Sequence, residues 1–157
     1  MNTSTKRRLM LKGVLGTGLL RLAAVAGVLN PLVSWAWPKS AFESESANDA
    51  LQRLLGTTQM TDTAAVTLIA PPIAENGAVV PVSISTNLKN VESITIIAEN
   101  NPFPLIANFQ FASNMDGFAV TRIKMSNTSD VIAVVKAGGK LYSARQEVKV
   151  TIGGCGG

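Results

Sequence analysis

The sequence predicts an all-β domain: a two-sheet sandwich of about seven strands, entered through a short helix and left through a five-residue arm. Seven short runs rich in β-branched residues follow one another, at 65–69, 79–85, 93–98, 105–111, 119–125, 131–136 and 141–152. Turn residues separate them. Several alternate at period two, so that Val80, Val82 and Ile84 share one face, as do Ile94, Ile96 and Ala98. With 46% hydrophobic and 15% charged residues in 157, the chain has the composition of a folded domain rather than a disordered one. Short strands at this regular spacing make an immunoglobulin-like β-sandwich, here without the paired cysteines of antibody modules.

The first 36 residues read as an export leader. Lys6-Arg7-Arg8-Leu9-Met10-Leu11-Lys12 resembles the twin-arginine motif, with Lys6 where Ser or Thr is usual and Met10 where Phe is commonest. The stretch from Gly13 to about Val33 is only mildly apolar, holds four glycines and carries Arg21 near its middle. An arginine there is expensive in a spanning helix, so a signal segment fits better than a membrane anchor. Ser34-Trp35-Ala36 offers small residues for cleavage after Ala36. The leader also explains the formal charge of +4: it holds five of the fourteen basic residues and no acid. Without it nine basic residues face ten acidic ones, and nothing in the charge argues for nucleic-acid binding.

Residues 37–62 form a segment with one helix, at 47–55. Ser46 is placed to cap it with Asp49 three residues on, Gly56 ends it, and Leu51, Leu54 and Leu55 share a face. The β domain occupies 63–152. In it Pro81 predicts an edge or a bulge, Gly138-Gly139 a tight hairpin, and Asn100-Asn101-Pro102-Phe103-Pro104 a turn or extended loop. Asp62, Glu75, Asp116 and Asp130 are scattered, as solvated loop carboxylates would be.

Residues 153–157 are the candidate site. Gly153-Gly154-Cys155-Gly156-Gly157 surrounds the only cysteine with glycines, which carry no Cβ and are costly to order. From Thr151 to Cys155 an extended chain reaches about 13–14 Å. Such a tether can bring a thiol into a narrow pocket of another protein; the alternative is a frayed end in which the cysteine is incidental. Histidine is absent, which removes the commonest general base, the commonest metal ligand and every Ser-His or Cys-His pair. A zinc site is not expected with one cysteine and no histidine. No cation lies within the arm, so the Cys155 thiol is expected near the ordinary value of about 8.5, mostly protonated at pH 7. In an oxidising compartment an odd cysteine points to intermolecular pairing or a reactive free thiol.

The carboxyl end from Val148 to Gly157 resembles that of the SoxY family, the sulfur-carrying subunits of bacterial thiosulfate oxidation. The five residues of the arm match at every position. Asn101-Pro102-Phe103-Pro104 with Ala107 and Phe109, then Thr121-Arg122-Ile123, and the twin-arginine leader are similar too. The resemblance implies an immunoglobulin-like periplasmic carrier with no catalytic residue, metal or cofactor of its own. It implies a covalent sulfur adduct on Cys155, an S-thiosulfonate or sulfane sulfur. It further implies pairing with a SoxZ-like β subunit, oxidation by a SoxAX-like c-type cytochrome enzyme and sulfate release by a SoxB-like hydrolase. Two heterodimers could also link as a tetramer through Cys155. Other readings of the arm are a ubiquitin-like sulfur carrier, which the export leader opposes, and a structural β-sandwich using Cys155 only for a disulfide-linked dimer. Prenylation does not fit, since it needs a cysteine four from the end.

Overall fold

The computed structural model describes residues 38–152; the expected leader, 1–36, and the arm, 153–157, lie outside the described residues. Two helices come first, α1 (Lys39–Phe42) and α2 (Ala47–Leu55). Nine strands follow: β1 (Thr61–Asp62), β2 (Val66–Ile69), β3 (Ile73–Ala74), β4 (Val80–Thr86), β5 (Val91–Ala98), β6 (Leu105–Gln110), β7 (Phe118–Ile123), β8 (Ser129–Ala137) and β9 (Lys140–Val150). The larger sheet runs β1-β9-β8-β5-β6 with β3 also on β9, and the smaller runs β2-β4-β7. Seven of these strands correspond to the seven apolar runs of the sequence. The two-residue strands β1 and β3 are additional.

The period-two rows of the sequence become the sandwich core. Val80, Val82 and Ile84 from the smaller sheet meet Ile94, Ile96, Val131, Ala133, Val135 and Val148 from the larger, all buried. The larger sheet is buried on both faces, which accounts for the near-continuous apolar runs in β5 and β8. Ile97, Ile132, Val134 and Leu141 point the other way, against Ala41, Ala50 and Leu51 of the helices. The apolar side of α2 therefore lies on its own domain. Leu51 is fully buried there, and Leu54 and Leu55 pack at the margin.

Several local expectations are refined. Ser46 occupies the position before α2 with an extended backbone but gives no side-chain cap. Asp49 is engaged instead by Arg53 Nε and the Ser44 hydroxyl, each at 2.7 Å, and these bonds hold its carboxyl pKa below the usual range. Gly56 closes α2 in the left-handed region at φ 79°, its N–H on the Gln52 carbonyl. Gly138 and Gly139, at φ 55° and 74°, make the β8–β9 hairpin. There Glu92 pairs with Lys136 and accepts the Gly139 N–H, each at 2.9 Å, which holds its carboxyl pKa below the usual range too. Pro81 sits on the central strand of the smaller sheet, not an edge strand. Its ladder partner is Arg122, while β2 first meets β4 at Ser83, so β2 does not pair with β4 at the position that lacks an N–H.

One segment visits both sheets. β1 runs parallel to β9 at Tyr142–Ser143, β2 crosses to the smaller sheet, and β3 returns to β9 at Lys149–Val150. Between the two contacts the Gln146 amide donates to the Ala70 carbonyl and accepts the Ala70 N–H. The outer edge of β9 is thereby closed along most of its length, which removes a template for unwanted strand pairing.

Gly117, just before β7, is buried and tightly enclosed. A Cβ there would lie 2.5 Å from Thr86 Cγ2 and 2.9 Å from Val91 Cγ2. Gly117→Ala should therefore cost about 1–3 kcal/mol through overpacking, read as a lower denaturation midpoint at unchanged slope. An unchanged midpoint would mean that β4 and β5 yield there without strain.

Candidate functional site

Cys155 and its glycines, Gly153, Gly154, Gly156 and Gly157, lie outside the described residues, so the structure defines the platform that bears them. That platform is the end of β9, at 11 residues the longest described strand. It is fastened residue by residue. The Lys149 N–H donates to the Pro72 carbonyl at 3.0 Å, and the Val150 N–H to Thr128 Oγ1 at 2.9 Å. Thr151 donates its N–H to the Ala74 carbonyl at 3.1 Å and its hydroxyl to the Glu75 carbonyl at 2.9 Å. The Ile152 carbonyl accepts the Gly77 N–H at 2.8 Å. The backbone is therefore held through Ile152, the last described residue.

The loops that make this clamp are themselves tied together. Asn100 Nδ2 donates to the Thr128 carbonyl at 2.9 Å. Asn101 bridges the 124–128 loop with both ends of its amide, giving a proton to the Lys124 carbonyl at 2.7 Å and accepting the Ser126 N–H at 2.8 Å. Between them the Met125 N–H reaches the Gly77 carbonyl at 2.7 Å. A continuous series of bonds thus joins the Asn-Pro loop, the β7–β8 loop, the β3–β4 loop and the root of the arm. Each is worth about 0.5–1.5 kcal/mol net, and their value here is mutual orientation. Sequence reasoning located the loop at 100–104 but missed that Asn100, Asn101, Thr128 and Gly77 brace the end of β9. An Asn-Asn pair before proline is a turn signal; which backbone its amides would bind was not legible locally.

The electrostatics of the root are mild. Lys149 is exposed and forms no ion pair with a described residue. The scattered acids do not assemble into a site. Asp62 and Asp130 prove to lie on strands rather than in loops: Asp62 accepts the Ser143 hydroxyl and Asp130 faces Arg145 at 3.5 Å. Glu75 and Asp116 are exposed loop residues. Among the described residues no three acidic side chains come together as a metal site would need. An apolar hollow of about 310 Å³ on the smaller sheet, lined by Ile69, Pro71, Pro81 and Val120, has no titratable lining.

Comparison with known proteins gives one consistent family. A family model described as sulfur oxidation protein SoxY matches residues 51–155. Among solved structures, the sulfur carrier protein SoxY from Chlorobium limicola f thiosulfatophilum is 39% identical, with a TM-score of 0.61 over 66% of this chain and 94% of that one. A superoxide reductase (neelaredoxin) from Ignicoccus hospitalis is 18% identical over 56% of this chain and 81% of its own, at a TM-score of 0.46. That likeness carries no argument. No curated protein matches the chain.

Proposed function

The chain belongs to the SoxY family of sulfur oxidation proteins, and from that premise we propose that it carries thiosulfate-derived sulfur covalently on Cys155 and presents it to partner enzymes in the periplasm. The observation that carries this reading is the pairing of a clamped β9 root with a family match that runs through Cys155 itself. A carrier needs a rigid body, a short tether and one nucleophilic atom, and this chain has one thiol to offer.

The chemistry divides between carrier and partners. Joining the Cys155 thiolate to the outer sulfur of thiosulfate forms an S–S bond and releases two electrons. Those electrons go to the c-type cytochrome enzyme of the SoxAX kind. Water then attacks the sulfonate sulfur under the SoxB-like hydrolase: sulfate leaves, and the sulfane sulfur stays on Cys155 as a persulfide. This chain supplies the attachment atom and its delivery. With no histidine in the sequence and no Lys or Arg among residues 150–157, activation belongs to the pocket that receives the arm. The twin-arginine leader supports export as a folded protein, which would let a SoxZ-like β subunit travel with it as a heterodimer.

Purification of the native protein from thiosulfate-grown cells tests both points. Its intact mass should show increments of a sulfane sulfur atom, or of a sulfane sulfur bearing a sulfonate, all lost on mild reduction. A smaller leaderless β protein should accompany it through gel filtration. Protein with an unmodified thiol under every growth condition would overturn the carrier reading. A monomer stable at micromolar concentration would overturn the heterodimer.

A further inference from the structure

The arm is short compared with the body that bears it. From Ile152, the last described residue, to Cys155 is three residues, at most about 10–11 Å when fully extended. A thiol delivered to that depth in an enzyme pocket necessarily draws the end of the sandwich onto the pocket's mouth. What stands at that end is therefore part of recognition.

The loops 75–79, 99–104 and 124–128 meet there around the end of β9, joined by the hydrogen bonds of the clamp. They present three large apolar side chains to solvent: Val79 at 54% exposure, Phe103 at 52% and Ile152 at 63%. Phe103 lies between Pro102 and Pro104, whose rings fix φ, and the Asn101 amide pins the same loop. An aromatic ring on a braced loop loses little freedom when a partner covers it, and such residues dominate binding energy at interfaces. The exposed charges at this end are of both signs, Glu75 and Glu99 with Lys124 and Lys149, so they give no single-sign attraction.

We propose that Val79, Phe103 and Ile152 form an apolar docking collar around the root of the arm. It seats on the apolar rim of the channel leading to the active site of the sulfate-releasing hydrolase that works on the Cys155 cargo. The proposal rests on the carrier reading and adds the surface through which the body, rather than the thiol, is recognised.

The test uses the full mature protein and its sulfate-releasing hydrolase. Tetrathionate loads the carrier without an enzyme: the Cys155 thiolate displaces thiosulfate and keeps a sulfane sulfur bearing a sulfonate. Phe103→Ala should raise the hydrolase KM for this loaded carrier about tenfold while kcat changes less than twofold. Val79→Ser should act in the same direction, and Phe103→Leu should recover most of the loss. The rate of tetrathionate loading should not move, since a small reagent needs no collar. Met115→Ala, an equally exposed side chain in the loop before β7, should leave KM unchanged. Should Phe103→Ala lower the melting temperature, Val79→Ser decides. An unchanged KM in Phe103→Ala and Val79→Ser, with sulfate still released from the loaded wild type, overturns the collar and leaves the carrier intact. Failure of the hydrolase to release sulfate from the loaded wild-type protein overturns the carrier reading itself.

Discussion

Cys155→Ser should abolish thiosulfate oxidation and leave the fold unchanged. The substitution exchanges one sulfur for one oxygen beyond the last clamped residue, so stability should move by less than about 0.5 kcal/mol. On the carrier reading, function depends on that atom entirely. A hydroxyl of ordinary acidity neither forms the S–S bond to thiosulfate nor holds a sulfane sulfur. Cys155 is the single thiol, so no second site can substitute for it. The measurements are intact mass, which should show no adduct, and thiosulfate-dependent oxygen uptake by cells carrying the variant, which should fall to background. Normal oxygen uptake would end the carrier reading. If the variant lost only a disulfide-linked dimer, the cysteine would serve assembly, which is the structural alternative for the arm.

What could be read from the sequence, and what could not, divides by physical range. Alternation such as Val80-Val82-Ile84 reports which side of a strand faces a core, and that is a local property. The sandwich was legible for this reason. Gly56 and Gly138-Gly139 were legible too, because a left-handed backbone restricts residue type strongly. The two-residue strands were not: pairing β1 and β3 with β9 depends on partners 81 and 76 residues away, and two residues show no period. The role of Pro81 was only half visible. Its missing donor demands an unpaired flank, and that flank arises because β2 starts pairing two residues later, a matter of register. Ser46 with Asp49 matched a capping pattern, but the Asp49 carboxylate found Ser44 and Arg53 instead. The candidate site shows the same division. The glycine-flanked thiol is a composition signal and stood out at once. The clamp at the end of β9 is built from side-chain amides and backbone carbonyls far apart in sequence, and only the folded chain brings them together.

Gly154→Val should lower turnover by the partner enzymes at least tenfold while leaving Cys155 chemically ordinary. Valine places a β-branched side chain beside the thiol and confines φ and ψ on a tether that works by being narrow. A tenfold loss requires only about 1.4 kcal/mol at the docked transition state, less than a single misplaced branched side chain can cost in a tight channel. Folding stability should change by well under 1 kcal/mol, because the substitution lies beyond the packed strands. Reaction with a small thiol reagent should likewise be unaffected, since such a reagent needs no channel to reach a sulfur. Deleting Gly153 should act in the same direction by a different route. The clamp holds Ile152 in place, so the lost residue is not recovered by slippage of β9, and the sulfur retracts by about 3.5 Å. The comparison that decides is reagent rate against enzyme rate in the same variant. Parallel losses in both would mean that the glycines tune the thiol, whereas full enzyme turnover with valine in place would mean that no narrow pocket receives the arm.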